Sequence, residues 1–159
     1  MLKGFITNLG KYNEGELIGE WIDFPIDEDE LEEVFERIGI NEQYEEYFFT
    51  DWECDFETGL GEYVSIEEVN ELAEMLEGED VELVEAIIEA TGYDLRTAID
   101  HTGRASFYSG SSLMDLAYEF VDEMDLPEFA RRYFDYEAFA RDLGFDGYTE
   151  VSGGVICID

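Results

Sequence analysis

Basic residues are scarce in this chain: 8 Lys and Arg stand against 43 Asp and Glu in 159 residues, a formal net charge of −35. That scarcity excludes the basic grooves and stripes with which proteins hold phosphate backbones. Nucleic acid is therefore not expected as a direct partner, and neither is an acidic membrane face. Arg131 and Arg132 are adjacent, but acids surround them and local ion pairing is the expectation. His101 is the single histidine, which removes histidine-rich metal sites and paired-histidine chemistry; a surface or joint position is expected for it. Cys54 and Cys157 lie far apart and form neither a metal spacing nor a disulfide framework, so two reduced thiols of a cytosolic protein are expected. No apolar run reaches the roughly 18 residues of a membrane span. Met1-Leu2-Lys3-Gly4-Phe5 also lacks the apolar stretch of a signal peptide. The expectation is a soluble, cytoplasmic protein.

What the chain does have is apolar content, 45% hydrophobic and 15% aromatic, which disordered acidic tails lack. It reads as a folded protein with dense negative charge over its surface, although such charge opposes compaction. The acid is spread rather than held in a tail. Residues 1–61 carry 18 acidic and 3 basic side chains (net −15), residues 62–103 carry 13 and 1 (−12), and residues 104–159 carry 12 and 4 (−8).

The pattern along the chain predicts an α+β protein of three small modules in a row. In residues 1–61, Phe5–Leu9, Leu17–Phe24 and Tyr47–Trp52 read as strands, with turn material at Lys11–Gly15. Between the last two strands, Asp27 with Glu30 starts a helix whose apolar positions are Leu31, Val34, Phe35 and Ile38 and whose end is Gly39. Trp21, Phe35, Phe49 and Trp52 are expected to fill this module's core. Gly59-Leu60-Gly61 is a joint. Residues 62–103 read as helical: Ser65 with Glu68 opens a helix striped by Ile66, Val69, Leu72 and Met75 or Leu76, followed by helices over Val81–Ala90 and Asp94–Asp100. In residues 104–159 a short strand, Ala105–Tyr108, precedes a helix started by Ser112 and Asp115 with Leu113, Leu116, Phe120 and Met124 inward. Pro127 fits the first turn of a short helix. Tyr136–Leu143 is the next, and Gly147–Val151 with Val155–Ile158 forms a hairpin around Ser152-Gly153-Gly154.

Catalysis by carboxylates is the first enzymatic reading of such a chain, but no pair stands apart among so many, and a catalytic carboxyl is one its environment singles out. Asp27-Glu28-Asp29-Glu30 lacks the glycine and spaced acceptors of a calcium loop and reads as a helix N-terminus, where acids suit the macrodipole. No phosphate-cradling glycine loop is present. The chain is thus expected to be no enzyme and to need no metal or cofactor.

The glutamate runs are the informative feature. A solvated helix face explains a modest excess of acid but not the near-absence of Lys, because ordinary faces mix signs for i,i+4 pairing. Acids three or four residues apart on a helix lie about 4.5–6 Å apart along its axis. Duplex DNA carries one charge per about 1.7 Å, so 43 carboxylates correspond to about 73 Å of duplex, roughly 21 base pairs. A compact ball of this length has a radius of gyration near about 15 Å, so the charge suits an elongated body better. The candidate phosphate-mimicking carboxylates are Glu67, Glu68, Glu71, Glu74 and Glu77 on one predicted helix and Glu32, Glu33 and Glu36 on another. An acidic interaction protein, or a halophile-adapted domain, with some other basic partner is the alternative.

Five blocks in order resemble the ArdA antirestriction family: Asn8–Leu17, Gly19–Asp23, Asp51-Trp52-Glu53, Gly61–Glu68 and Tyr133–Leu143. The second residue of the third block is Tyr in the usual pattern. The resemblance covers nearly the whole chain. It implies three modules in a row, a very elongated homodimer, and a mimic of bent B-form DNA that occupies the DNA-binding groove of type I restriction-modification enzymes, through their specificity and modification subunits. It also implies service to mobile elements such as conjugative plasmids and transposons. The C-terminal module has the least acid and is expected to dimerise, with Phe107, Tyr108 and the apolar, uncapped strand residues Val155 and Ile156 as contacts.

Overall fold

A computed structural model describes all residues, Met1–Asp159. The fold is α+β, as read from the sequence: two three-stranded antiparallel sheets and eight α-helices. The chain forms two compact units, Met1–Gly78 and Glu79–Asp159. The boundary falls inside the stretch 62–103 that reads from sequence as a middle module. Its first helix buries Ile66, Val69 and Ala73 in the core of the first unit, and its other two helices lie in the second.

In the first unit β1 (Leu2–Asn8) is central, between β2 (Gly19–Phe24) and β3 (Tyr47–Cys54), in the order β2-β1-β3. Side chains alternate across a strand. Leu2, Ile6, Ile22 and Phe24 therefore share one face, where Phe49 and the helices α2 (Glu28–Ile38) and α3 (Ile66–Glu77) close the core. Gly4 lies under aromatic rings: a Cβ there would stand 2.8 Å from Trp52 and 2.9 Å from Phe49. Trp21, expected in this core, is 44% exposed on the opposite face, edge-on to its cross-strand partner Phe5. The inward positions of β2 belong to Ile22 and Phe24, so the residue between them and Glu20 must face out.

A short helix, α1 (Leu9–Asn13), occupies the start of the expected turn. Asn8 creates it. The buried Asn8 side chain accepts from Lys11 N–H at 3.1 Å and donates to the Ile38 carbonyl at 3.0 Å, so one residue caps α1 and pins the end of α2. Asp27 caps α2 by accepting from Glu30 N–H, and Gly39 ends it in the left-handed region at φ 79°. Asn70 on α3 closes the unit. Its side chain accepts from Ile26 N–H at 2.8 Å and donates to the Ile26 carbonyl at 2.9 Å.

In the second unit β4 (Ala105–Ser109), β5 (Tyr148–Val151) and β6 (Gly154–Ile158) form the order β4-β6-β5. Helix α4 (Val81–Thr91) packs on one face against all three strands, with α5 (Leu95–His101) beside it. The other face holds α6 (Leu113–Glu123) and α8 (Tyr136–Phe145), packed together over Val155, Tyr108 and Tyr148. The small α7 (Glu128–Arg132) links them. Ser112 and Asp115 form a reciprocal capping box at α6. Met124, expected inward, is 52% exposed: it is the cap after the last turn of α6, one step past the apolar stripe that ends at Val121. No helix is long and apolar enough to cross a membrane.

Asn70 makes a direct prediction. Asn70→Leu leaves the Ile26 N–H and carbonyl without their partner, and losing a buried hydrogen bond costs about 1–3 kcal/mol. Urea unfolding is expected to show an unfolding free energy lower by that amount, seen as a reduced midpoint at unchanged slope.

Candidate functional site: the acidic surface

The site is a surface rather than a cleft. Every Asp and Glu is exposed except Glu20 and Glu79, which are half-exposed. The cations do not offset them. Arg37 is held by Glu20 at 2.6 Å with Glu33 at 3.9 Å, Lys3 by Asp23 and Lys11 by Glu14. Arg131 pairs with Asp122 at 3.1 Å and Arg132 with Glu128 at 3.7 Å, the local pairing expected from sequence. Arg141 lies beside Asp142. The first unit carries 24 acidic and 3 basic side chains, a net of −21, and the second 19 and 5, a net of −14.

The two glutamate-bearing helices are amphipathic in the simplest sense. On α3, Ile66, Val69, Leu72, Ala73 and Leu76 are buried, and Glu67, Glu68, Glu71, Glu74 and Glu77 all face solvent. At about 100° and 1.5 Å per residue, Glu67, Glu71 and Glu74 form a row along the axis, with Glu68 and Glu77 to either side. Glu32, Glu33 and Glu36 occupy the exposed side of α2. Of these eight, Glu33 has an arginine within 4 Å. Glu28, not singled out from sequence, joins Glu67, Glu71 and Glu74 around a groove between α2 and α3.

Other acids serve the fold. Asp27, Asp80, Asp94 and Asp135 cap helices through backbone N–H groups. Glu150 accepts from Leu113 N–H at 2.8 Å, at the start of α6. Glu89 on α4 accepts from both the Ser152 N–H and its hydroxyl, at 2.8 and 2.7 Å, locking the β5–β6 turn. Glu82, Glu85 and Glu89 line a shallow cleft with Phe107 and Gly153. These long-range roles leave no local sequence signal; the Asp caps do, because each precedes an apolar-periodic run.

Of the residues expected at a subunit contact, Phe107 and Tyr108 are half-buried on the edge strand β4. Val155 and Ile156 are 0% and 1% exposed. Strand β6 is central and paired on both sides, so the strand read as uncapped is capped within its own unit and offers these two side chains to no partner. Cys54 and Cys157 are free thiols, and burial pushes the Cys157 thiol up from its ordinary value. His101 ends α5, with Nδ1 2.7 Å from the Thr97 carbonyl and its ring 4.9 Å from Tyr93.

A family described as "Antirestriction protein (ArdA)" matches residues 5–157. No curated protein matches the chain.

Two predictions follow from the charge placement. Screening relieves like-charge repulsion, so raising NaCl from about 0.01 M to about 0.5 M, where the Debye length falls well below about 10 Å, is expected to raise Tm in calorimetry. The caps give an opposite sign with acid. Backbone hydrogen bonds from Thr97 and Ser112, and then their side chains, hold the Asp94 and Asp115 carboxyls below their ordinary value. A depressed carboxylate stabilises the fold above its unfolded pKa of about 3.9 and loses that contribution as pH falls through the folded value. Asp94→Asn is expected to flatten the acid limb of the stability–pH curve below about pH 4.

Proposed function

The chain belongs to the ArdA antirestriction family, and from that membership we propose that it inhibits restriction by imitating B-form DNA and occupying the DNA-binding groove of type I restriction-modification enzymes. One observation carries the reading: nearly all carboxylates reach solvent while six of the eight Lys and Arg residues are tied to acids, so each unit presents unneutralised negative charge. Enzymes that grip DNA do so through Lys and Arg, whose contacts set a strong salt dependence. A dense carboxylate surface meets the same groups without offering a scissile or methylatable base. No catalytic step and no cofactor are required.

The natural targets in this reading are the specificity and modification subunits, which hold the duplex. The protein acts as a cytoplasmic homodimer serving a mobile element. Its subunit contact is at the β4 edge of the second unit, with Phe107 and Tyr108 near the surface and Val155 and Ile156 supporting that strand from within. The second unit carries the smaller charge, so apposing two copies there meets the least repulsion.

A DNA competition assay with a type I modification enzyme tests the proposal. The protein is expected to displace DNA at low salt and to lose affinity steeply as salt rises. Unchanged DNA binding at saturating protein, repeated over several such enzymes, contradicts it. Charge is expected to act collectively, since exposed pairs contribute about 0–1 kcal/mol each. Glu36→Gln alone should weaken inhibition less than about threefold, and Glu32, Glu36, Glu68 and Glu77 changed together to Gln more than about tenfold.

A further inference from the structure

The groove between α2 and α3 differs chemically from the rest of the acidic surface, and we propose that it captures an arginine side chain from the protein partner. The inference rests on the proposed function and deepens it, by naming one directional contact within an otherwise diffuse charge match.

The groove has an apolar, partly aromatic floor. Leu31 and Phe35 come from α2, Tyr47 from β3 and Ile66 from α3. The Phe35 and Tyr47 rings lie 5.4 Å apart with their planes 32° from parallel, so they pack against each other as one aromatic pair at the groove. Carboxylates stand on both sides, Glu28 at the start of α2 and Glu67 and Glu74 on α3. No cation is among the lining residues. The groove has a volume of about 690 Å³ and is open to solvent. Its walls are fixed relative to one another. Asn70 ties α3 to Ile26, just ahead of α2, through both backbone groups, and that side chain is thereby already engaged.

A partner group that fits must be cationic, planar at its tip and apolar along its stem. Arginine meets all three. Its methylene stem covers apolar surface, its guanidinium stacks on aromatic faces and its fork pairs with carboxylates on more than one side. Lysine carries the charge but is a compact, strongly hydrated ammonium without the planar face. A surface that acted by charge alone would not distinguish the two.

The test uses the full chain and two probes, acetyl-Arg-Arg-Arg-amide and acetyl-Lys-Lys-Lys-amide, titrated by NMR at one ionic strength. The arginine peptide is expected to bind about two- to fivefold more tightly and to shift the Leu31 methyl and the Phe35 and Tyr47 ring signals. Tyr47→Leu, which keeps every carboxylate, is expected to remove the preference, with lysine-peptide affinity unchanged. Equal affinities, or shifts that bypass the groove in the unaltered protein, overturn the inference while leaving DNA competition intact. Loss of DNA competition with the arginine preference retained overturns the proposed function instead, so the two failures are separable.

Discussion

Mutual repulsion among carboxylates is the constraint on which this structure depends. With so few cations, the acids cannot be neutralised in pairs, and an unpaired buried charge is far too costly to tolerate. Each must reach water. The buried residues that are not hydrophobic are accordingly the uncharged Thr7, Asn8 and Thr58. The helices follow the same rule. On α3 five of the 12 residues are glutamate, yet the five buried residues stay on one side.

Beyond the few ion pairs, several acids make their contacts with backbone N–H groups. Four aspartates cap helices, Glu150 meets the first turn of α6, and Glu89 holds the β5–β6 turn. These positions coincide with the positive ends of helix macrodipoles or with free donors, so they relieve repulsion and order the chain together. The opposite ends lack the matching cations: α3, α4, α6 and α8 have no basic residue in the last turn. The result is a surface biased to one sign yet held on well-capped helices, a favourable arrangement for presenting charge at fixed positions.

Much of this was legible from sequence because the signals are local. Asp27, Ser65 and Ser112 each accept from the N–H three residues on, Gly39 takes the left-handed conformation, and the Ser152–Gly154 turn joins β5 to β6. The exposed state of the candidate glutamates was legible from their spacing against the apolar stripe. What escaped depends on distant partners. Helix α1 has five residues and no apolar stripe, and exists because Asn8 bonds to both α1 and the end of α2. The boundary at Gly78 reflects α3 packing on the first sheet, which periodicity cannot reveal. Strand β6 reads as a terminal, open strand, but antiparallel pairing with β4 across about fifty residues makes it central and seals Val155 and Ile156. The groove was invisible for the same reason, since Leu31, Tyr47 and Ile66 come from three elements.

The central claim is that carboxylates held on a folded scaffold stand in for phosphates in an enzyme's DNA groove. The structure of the complex with a type I modification enzyme, determined by electron cryomicroscopy, tests it most directly. The account predicts the protein lying in the DNA-binding groove, with the α2 and α3 glutamates against the Lys and Arg residues that otherwise contact the duplex backbone. Density for the protein on another surface of the enzyme, with the DNA groove open and able to hold duplex at the same time, would contradict it.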